Sequence, residues 1–543
     1  MLPKEFKDRM RAIMQDDAER LFDVLESADA IKAFRVNGVK CDASSFEASG
    51  AAVDRDGSFW MENAYYTKEK YPGSLPEHHA GAIYIQDPAA MATVAALDNL
   101  DGLTVLDCCA APGGKTGQLS AAVGPEGLVF ANEYEPARAK ILYSNLERLG
   151  CTNVIATNVD TSTYRDEYKE YFDVVLCDAP CSGEGMFRKN ERAIEEWSVE
   201  NVLMCAERQR EILSNVVCCL KRGGRLLYST CTFSLEENEM NVAWLLDSFG
   251  DLELADVPEA LRNATSDGVC YEGCNYDMTK TRRCYPHTSK GEGQFIALLR
   301  RKNYAEVGSD GGSEDGIENG GKYEASKLEG ETLVGGSCRS LDEKKAVRKA
   351  EKHSKKDKKA SKNDKNINGK SQNKQNVELI ELGKAFLQEN LVCVPNGDFV
   401  VLCDKLWLCP SAKMPSHGMV AAGVCLGEAQ KGRFVPHHQL FSAFGNLFLR
   451  RLCLSFDSPL AATYLFGEEL SINDIALATS DVSVKCKQAE RRDDRRDCYF
   501  APENAQNGWA AVILGGCASG GVKISNEVAK NHYPKGLRNK RIG

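Results

Sequence analysis

Between residues 103 and 300 short apolar runs alternate with longer amphipathic stretches, and that alternation leaves few folds open. LTVLDCCA (103–110), GLVFANEY (127–134), NVIATNVD (153–160), FDVVLCDAP (172–180), GRLLYSTCTF (224–233) and QFIALLRR (294–301) read as strands. PARAKILYSNLERLG (136–150), ENVLMCAERQREILSNVVCCLKRGG (200–224) and SLEENEMNVAWLLDSFG (234–250) read as helices between them. Strands joined through helices predict an α/β fold, a parallel, doubly wound sheet with helices on both faces. Ligands of such sheets gather beyond the carboxyl ends of the strands. The residues just past each strand are therefore the candidate site.

The first strand ends in Cys109, Ala110, Ala111, Pro112, Gly113, Gly114 and Lys115. Two glycines let a backbone approach a ligand closely, and the helix that follows offers free N–H groups. The run matches neither the GxGxxG dinucleotide pattern nor the GxxxxGK[ST] phosphate loop. The second strand ends at Asn132 and Glu133, where an acid can accept from ribose hydroxyls. The third ends at Asn158, Val159 and Asp160, and Asp160 can accept from an adenine amine or simply cap a helix. A glycine turn and two acids on consecutive strands suit a nucleoside cofactor such as S-adenosylmethionine.

The fourth strand ends in Asp178-Ala179-Pro180-Cys181-Ser182 and the fifth in Ser229-Thr230-Cys231-Thr232. If these strands are neighbours, two thiols and a carboxylate meet above the sheet. That set fits methylation at carbon 5 of a pyrimidine, a carbon scarcely nucleophilic by itself. A thiolate that adds to carbon 6 turns carbon 5 into an enamine-like nucleophile, and the thiol is eliminated after the carbon 5 proton leaves. Asp178 can hold the base edge and assist protonation at N3, while Lys115 or a strand-end amide supplies the positive bias a thiolate needs. The residues alone leave open which thiol attacks. An amino-nitrogen methyltransferase would carry (D/N)PP(Y/F) where this chain has DAPC.

Composition narrows the setting. The 543 residues include 22 cysteines and carry a formal net charge of −10. The amino terminus, MLPKEFKDRMRAIMQDDAERLF, is charged throughout, and no run approaches the ~18 apolar residues of a membrane span. We therefore expect a cytoplasmic protein with reduced thiols and no membrane partner. Cys270, Cys274 and Cys284 come nearest to a metal cluster, but lack zinc-site spacing, and no metal is expected. Residues 341–375 hold 13 Lys and Arg against 5 Asp and Glu. With the Gly-rich acidic stretch before them, residues 303–375 read as a disordered charged linker.

The segments DCCAAPGGKT, NEYEPARAKILYSNLERLG, DVVLCDAPCSGEGMFRK, LLYSTCTFSLEENE and RRCYPHTSKGEGQF together resemble the Sun-type RNA cytosine-C5 methyltransferases. Within that group the chain is most similar to the bacterial RsmF-type ribosomal RNA enzymes. FRVNG (34–38), GAIYIQDPAAM (81–91), LGEAQKGRFVPHHQL (426–440) and GVKISNEVAKNHYPKGLR (521–538) extend the likeness to both ends. The resemblance implies that Cys231 is the nucleophile and that Cys181 assists breakdown of the covalent adduct. It places the cofactor on Cys109 to Lys115, with Glu133, Asp160 and Asp178 at the matching strand ends.

The resemblance further implies an RNA-binding lobe over residues 1–75, a Rossmann-like class I methyltransferase domain over 76–302 and a PUA-like α+β RNA-binding domain over 376–543. The partner would be ribosomal RNA, free or within the small subunit, and the protein a monomer. Removing residues 376–543 is expected to weaken RNA binding more than cofactor binding. The chain departs from the family in its longer, more charged linker and in Cys284, where Leu or Trp is commoner. Arg35 and Asn37 read either as RNA backbone contacts or as plain strand-end residues, and His287 either as a substrate contact or as a turn-stabilising histidine. Trp509 with residues 531–535 reads as a base-stacking group, although Trp509 alone reads as core. His78 and His79 read as loop residues, and RRDDRRD (491–497) as a solvated turn.

Overall fold

The computed structural model describes residues 1–27, 29–49, 61–307, 361–472, 475–479, 497–501 and 506–539, with backbone alone for 361–373 and 476–479. Two helices, Lys4–Met14 and Asp17–Ser27, open the chain. Phe6 and Met10 recur at helical spacing on the first, Leu21, Phe22 and Leu25 on the second, and all are buried against Phe187 and Trp197. A three-stranded antiparallel sheet follows, with β1 (Ala33–Val36) between β2 (Ala64–Tyr66) and β3 (Ile83–Ile85). The lobe expected to end at residue 75 thus closes its sheet with β3. Three residues between two turns are too few to show a period in sequence.

The central sheet grows from β4 (Thr104–Asp107), β5 (Leu128–Asn132), β6 (Val154–Thr157), β7 (Phe172–Asp178) and β8 (Leu220–Thr230), which run parallel in the order β6-β5-β4-β7-β8. Side chains alternate between two buried faces. Val105, Val129, Val154 and Val174 lie in one apolar cluster, and Leu106, Phe130, Ile155 and Val175 in the other. Each such side chain contributes roughly 1.5–3 kcal/mol through burial, which is why these strands read as continuous apolar runs.

β9 (Leu252–Leu254), β10 (Ser266–Asp267), β11 (Arg282–Cys284) and β12 (Gln294–Arg301) extend the sheet past β8, all antiparallel to their partners. The expected all-parallel sheet is therefore mixed. The residues between β11 and β12 are too few for a crossover helix, and β12 returns as a hairpin strand.

Beyond residue 360 the chain forms a helix, Ser361–Asn390, and then β13 (Asp398–Leu402), β14 (Lys405–Cys409), β15 (Met419–Ala422), β16 (Val424–Gln430) and β17 (Arg433–Pro436). β13, β14, β16 and β17 make a four-stranded antiparallel sheet, a seven-stranded sheet follows, and β15 joins the central sheet beside β6. Of the segment expected to be disordered, residues 308–360 lie outside the described residues. Residues 361–375 are instead the start of the long helix, whose far end is anchored by buried Leu379, Phe386 and Leu387. Propagating a helix from an anchored end avoids the nucleation penalty a free polar peptide would meet. Among the described residues no helix is long and apolar enough to cross a membrane.

Candidate active site

The parallel pairing of β7 with β8 sets Asp178 opposite Ser229, so both strands end side by side. Three residues past Asp178 and two past Ser229, Cys181 Sγ and Cys231 Sγ stand 3.1 Å apart, and the Cys231 peptide N–H donates to Cys181 Sγ at 3.3 Å. Asp178 is the last residue of β7. Its Oδ2 accepts from Lys115 Nζ at 2.8 Å, and its Oδ1 from Ser229 Oγ at 2.7 Å and Gln294 Nε2 at 3.3 Å. Burial works against the Lys115 ammonium, yet Asp178 beside it raises Lys115 above the ordinary lysine range.

Two buried carboxylates brace the thiol loops from behind. Glu184 Oε2 accepts from Thr232 Oγ1 at 2.7 Å and Phe233 N at 2.8 Å, and its Oε1 from Trp197 Nε1 at 2.8 Å and Ser234 Oγ at 2.7 Å. This ties the segment after Cys231 to the loop after Cys181. Glu237 Oε2 accepts from Ser182 N at 3.0 Å and from Gln209 Nε2 at 2.7 Å, and the same amide donates to Pro180 O at 3.0 Å. The peptide groups on both sides of Cys181 are thereby pinned. Burial pushes Glu237 up to about 7. At Gly185 a Cβ would come within 2.7 Å of Gly293 Cα and 2.8 Å of the Cys231 carbonyl, so the close passage of three segments there requires glycine.

The other strand ends form a second, connected cradle. Gly113 adopts φ +106°, turning the chain into the helix Gly114–Ala122, and Tyr84 of the amino-terminal lobe packs where a side chain on Gly114 would stand, 2.8 Å from its Cβ position. Thr116 Oγ1 donates to Asp107 Oδ2 at 2.7 Å, and burial pushes Asp107 up to about 7. Glu133 is buried, 3% exposed; its Oε1 accepts from Glu135 N at 3.0 Å, while its Oε2, 3.4 Å from Arg138, has no hydrogen-bond partner. A buried acceptor left open at the end of β5 fits a ribose diol, and the glycine turn fits the rest of an S-adenosylmethionine molecule. Asp160 is exposed and caps the helix Thr161–Glu167, accepting from Ser162 N at 2.9 Å.

Several expected contacts do other work. Arg35 is buried and donates to Gly114 O at 3.2 Å, and Asn37 donates to Gly81 O at 2.8 Å and Leu149 O at 2.9 Å. Both join the amino-terminal lobe to the methyltransferase domain and face no solvent. His287 Nε2 meets Asp17 Oδ2 at 2.9 Å, which fastens the second helix to the turn before β12. His78 and His79 lie in a short helix, Pro76–His79, packed at the junction with the carboxyl-terminal region. Cys284 is buried and Cys270 exposed, and among the described residues no cluster of His, Cys, Asp or Glu could hold a metal. Residues 491–496 lie outside the described residues. Asp497 accepts from Ser455 N at 3.0 Å and from Ser458 Oγ.

Sequence reasoning missed Gln294, Glu184, Glu237 and Gln209. Gln294 becomes visible only once β12 is known to lie on β8. Glu237 falls where an amphipathic helix was expected to begin, but the helix starts at Glu239, and Glu237 turns inward instead.

A mixed sheet of this order, with a glycine-turn cradle at one set of strand ends and a cysteine pair at the next, defines a Rossmann-like methyltransferase. Residues 94–300 match the 16S rRNA methyltransferase RsmB/F family, and residues 2–88 match the N-terminal domain of 16S rRNA methyltransferase RsmF. Residues 94–300 are thus similar to the RsmB/F methyltransferase domain, whose family takes the methyl group from S-adenosylmethionine. The chain is 39% identical over 251 residues to the ribosomal RNA small subunit methyltransferase F of Salmonella paratyphi B, and equally to that of Salmonella newport. These matches cover 45% of this chain and 50% of theirs, so the chain spans about half the length of the curated relatives it matches. Among solved structures, PH0851 aligns with a TM-score of 0.50 at 28% identity, over 55% of this chain and 66% of that one.

Proposed function

We propose that this protein methylates carbon 5 of a cytosine in RNA, with small-subunit ribosomal RNA as substrate, as a cytoplasmic monomer. The observation that carries the reading is the 3.1 Å separation of Cys181 and Cys231 at the ends of adjacent strands, with Asp178 the last residue of β7. The curated relatives' names support the RNA class. S-adenosylmethionine supplies the electrophilic methyl group when bound. Cys109 to Lys115 and Glu133 would hold it, with Asp160 at the adenine end.

The chain's own residues do the rest. A target base flipped out of its RNA meets Asp178 along its N3–N4 edge, and Lys115, paired to Asp178, brings positive charge to that edge. The Cys231 thiolate forms a bond to carbon 6, and the pair of electrons released from the C5–C6 double bond makes carbon 5 the nucleophile. After transfer the Cys181 thiol gives its proton to solvent and, as the thiolate, takes the carbon 5 proton. The electrons of that C–H bond re-form the C5–C6 double bond, the C6–S bond breaks, and Cys231 leaves as the thiolate. In the carboxyl-terminal region Lys523 lies over Trp509 at 5.5 Å and His532 meets the same ring at 4.5 Å. Such an aromatic and basic group suits structured RNA and supports the PUA-like reading.

The test is bisulfite sequencing of total RNA from the source cell with and without the gene. Lost protection at one or a few small-subunit cytosines supports the reading. Changes confined to transfer RNA would move the substrate, and no change anywhere would leave the fold as a silent RNA-binding scaffold.

A further inference from the structure

The outer edge of the central sheet is closed by a strand from the carboxyl-terminal region. β15 lies antiparallel on β6, pairing Met419 with Thr157, Ala421 with Ala156 and Ala422 with Ile155, and Gly423 N donates to Val154 O at 2.9 Å. The residues just before it are fastened as well. Tyr168 donates its hydroxyl to Lys413 O at 2.9 Å, and Lys413 Nζ lies 4.9 Å over the same ring. Ser416 N donates to Glu167 Oε2 at 3.0 Å, and Met414 packs into the apolar clusters of both sheet faces.

At the carboxyl end of β6 this strap reaches the cofactor cradle. Asn158 N donates to Gly418 O at 2.8 Å, and the Asn158 side-chain amide donates to the carbonyls of Glu133 at 2.6 Å and Tyr134 at 2.7 Å. Glu133 is the buried acid with an open oxygen. One asparagine therefore links the strap backbone to the ribose acceptor. Gly418 sits at φ +69°, and a Cβ there would fall 2.1 Å from Val159 Cγ1 and 3.0 Å from Asn158 O. The strap presses directly on the loop that ends in Asp160.

We infer that residues 413–423 are a positioning element of the cofactor site. They hold Asn158, and through it the Glu133 turn, in the form that receives the adenosine end of S-adenosylmethionine. The inference rests on the cofactor assignment above. It changes one expectation from sequence: removing residues 376–543 takes away a strand of the methyltransferase sheet, so cofactor affinity falls together with RNA affinity.

The experiment is calorimetric titration of S-adenosylmethionine into the full-length protein, with the melting temperature recorded for each variant. Gly418→Ala and Asn158→Ala are each expected to weaken binding about tenfold or more, a change of about 1.4 kcal/mol. Lower melting temperatures with an unchanged Kd in both single variants would overturn the inference, because a strand that only stabilises the sheet predicts that pattern. Should Gly418→Ala fail to fold, Asn158→Ala decides. A wild-type protein that does not bind the cofactor would strike the cofactor assignment itself, and the inference with it.

Discussion

Replacing Asp178 by Asn separates recognition from folding, because the two costs differ in size. The carboxylate accepts from Lys115, Ser229 and Gln294 and is itself 28% exposed, against 12% for Lys115. A fully buried ion pair costs about 3–5 kcal/mol to break, but partial exposure screens this one well below that figure. Asn keeps a carbonyl for Lys115, and the Ser229 hydroxyl can turn to accept from the new amide. Only the Gln294 contact is lost outright, at about 1 kcal/mol. The folding cost is then roughly 1–2 kcal/mol.

Losing the charged contact to the reacting base costs more, about 10²–10⁴ in rate, or roughly 3–5.5 kcal/mol of barrier at about 1.36 kcal/mol per tenfold. Initial rates of labelled-methyl incorporation into small-subunit RNA, taken beside thermal melts, measure both. A variant that keeps a fifth or more of the wild-type rate while folded would refute the base-edge role of Asp178.

Further expectations concern the thiols and the buried titratable groups. Cys231→Ala abolishes transfer and leaves cofactor affinity nearly intact; retained turnover would remove Cys231 as nucleophile. Cys181→Ala accumulates a protein–RNA adduct, seen as a slowly migrating band with methylatable RNA, and its absence would count against Cys181 in release. Glu237→Gln lets Cys181 ionise more readily, so its alkylation at neutral pH rises up to about tenfold for one unit of pKa, and unchanged labelling by mass spectrometry would refute that link. Burial lowers His78 and His438 to about 3, so their contribution to stability is complete above about 6.5 and is lost as pH falls toward 3. Asp107 and Glu237, raised to about 7 by burial, act in the opposite sense and lose their contribution as pH rises through 7. Substituting His438 by Gln should flatten the acid limb of the melting curve between about pH 6.5 and 4.5, and an unaltered limb would place the acid sensitivity elsewhere.

The strands were legible in sequence because each is buried on both faces, and their apolar runs end close to where the observed strands end. β12, expected over 294–301, spans Gln294–Arg301. Its direction was not legible, since nothing in eight apolar and basic residues records whether the chain arrived by a helix or a hairpin. The same limit hid β15: Met419–Ala422 is short and small, and its partner on β6 lies far away in sequence. The meeting of Cys181, Cys231 and Asp178 was legible because each lies at or just past the end of one of two strands that proved to be neighbours. Arg35 and Asn37 stayed between two readings for a related reason, since polar side chains at a strand end look alike whether they face RNA or bond the carbonyls of a neighbouring lobe.

What separates two sulfurs 3.1 Å apart is the charge on either side of them. At that distance both cannot be anionic at modest energy. The hydrogen bond to the Cys231 sulfur, then burial, then the nearby charges, Glu237 among them, hold Cys181 far above the ordinary cysteine range, so it keeps its proton. On the other side Lys115, which interacts with both Asp178 and Cys231, brings positive charge toward the Cys231 sulfur. On the proposed mechanism the proton stays on Cys181, whose flanking peptides are pinned by Gln209 and Glu237, and Cys231 is the residue left to attack. Once Cys231 has spent its charge on carbon 6, the repulsion between the two sulfurs disappears. Cys181 can then release its proton to solvent and, as the thiolate, take the carbon 5 proton. In the proposed reaction attack thus prepares the group that completes it, and two identical side chains take opposite roles from their surroundings.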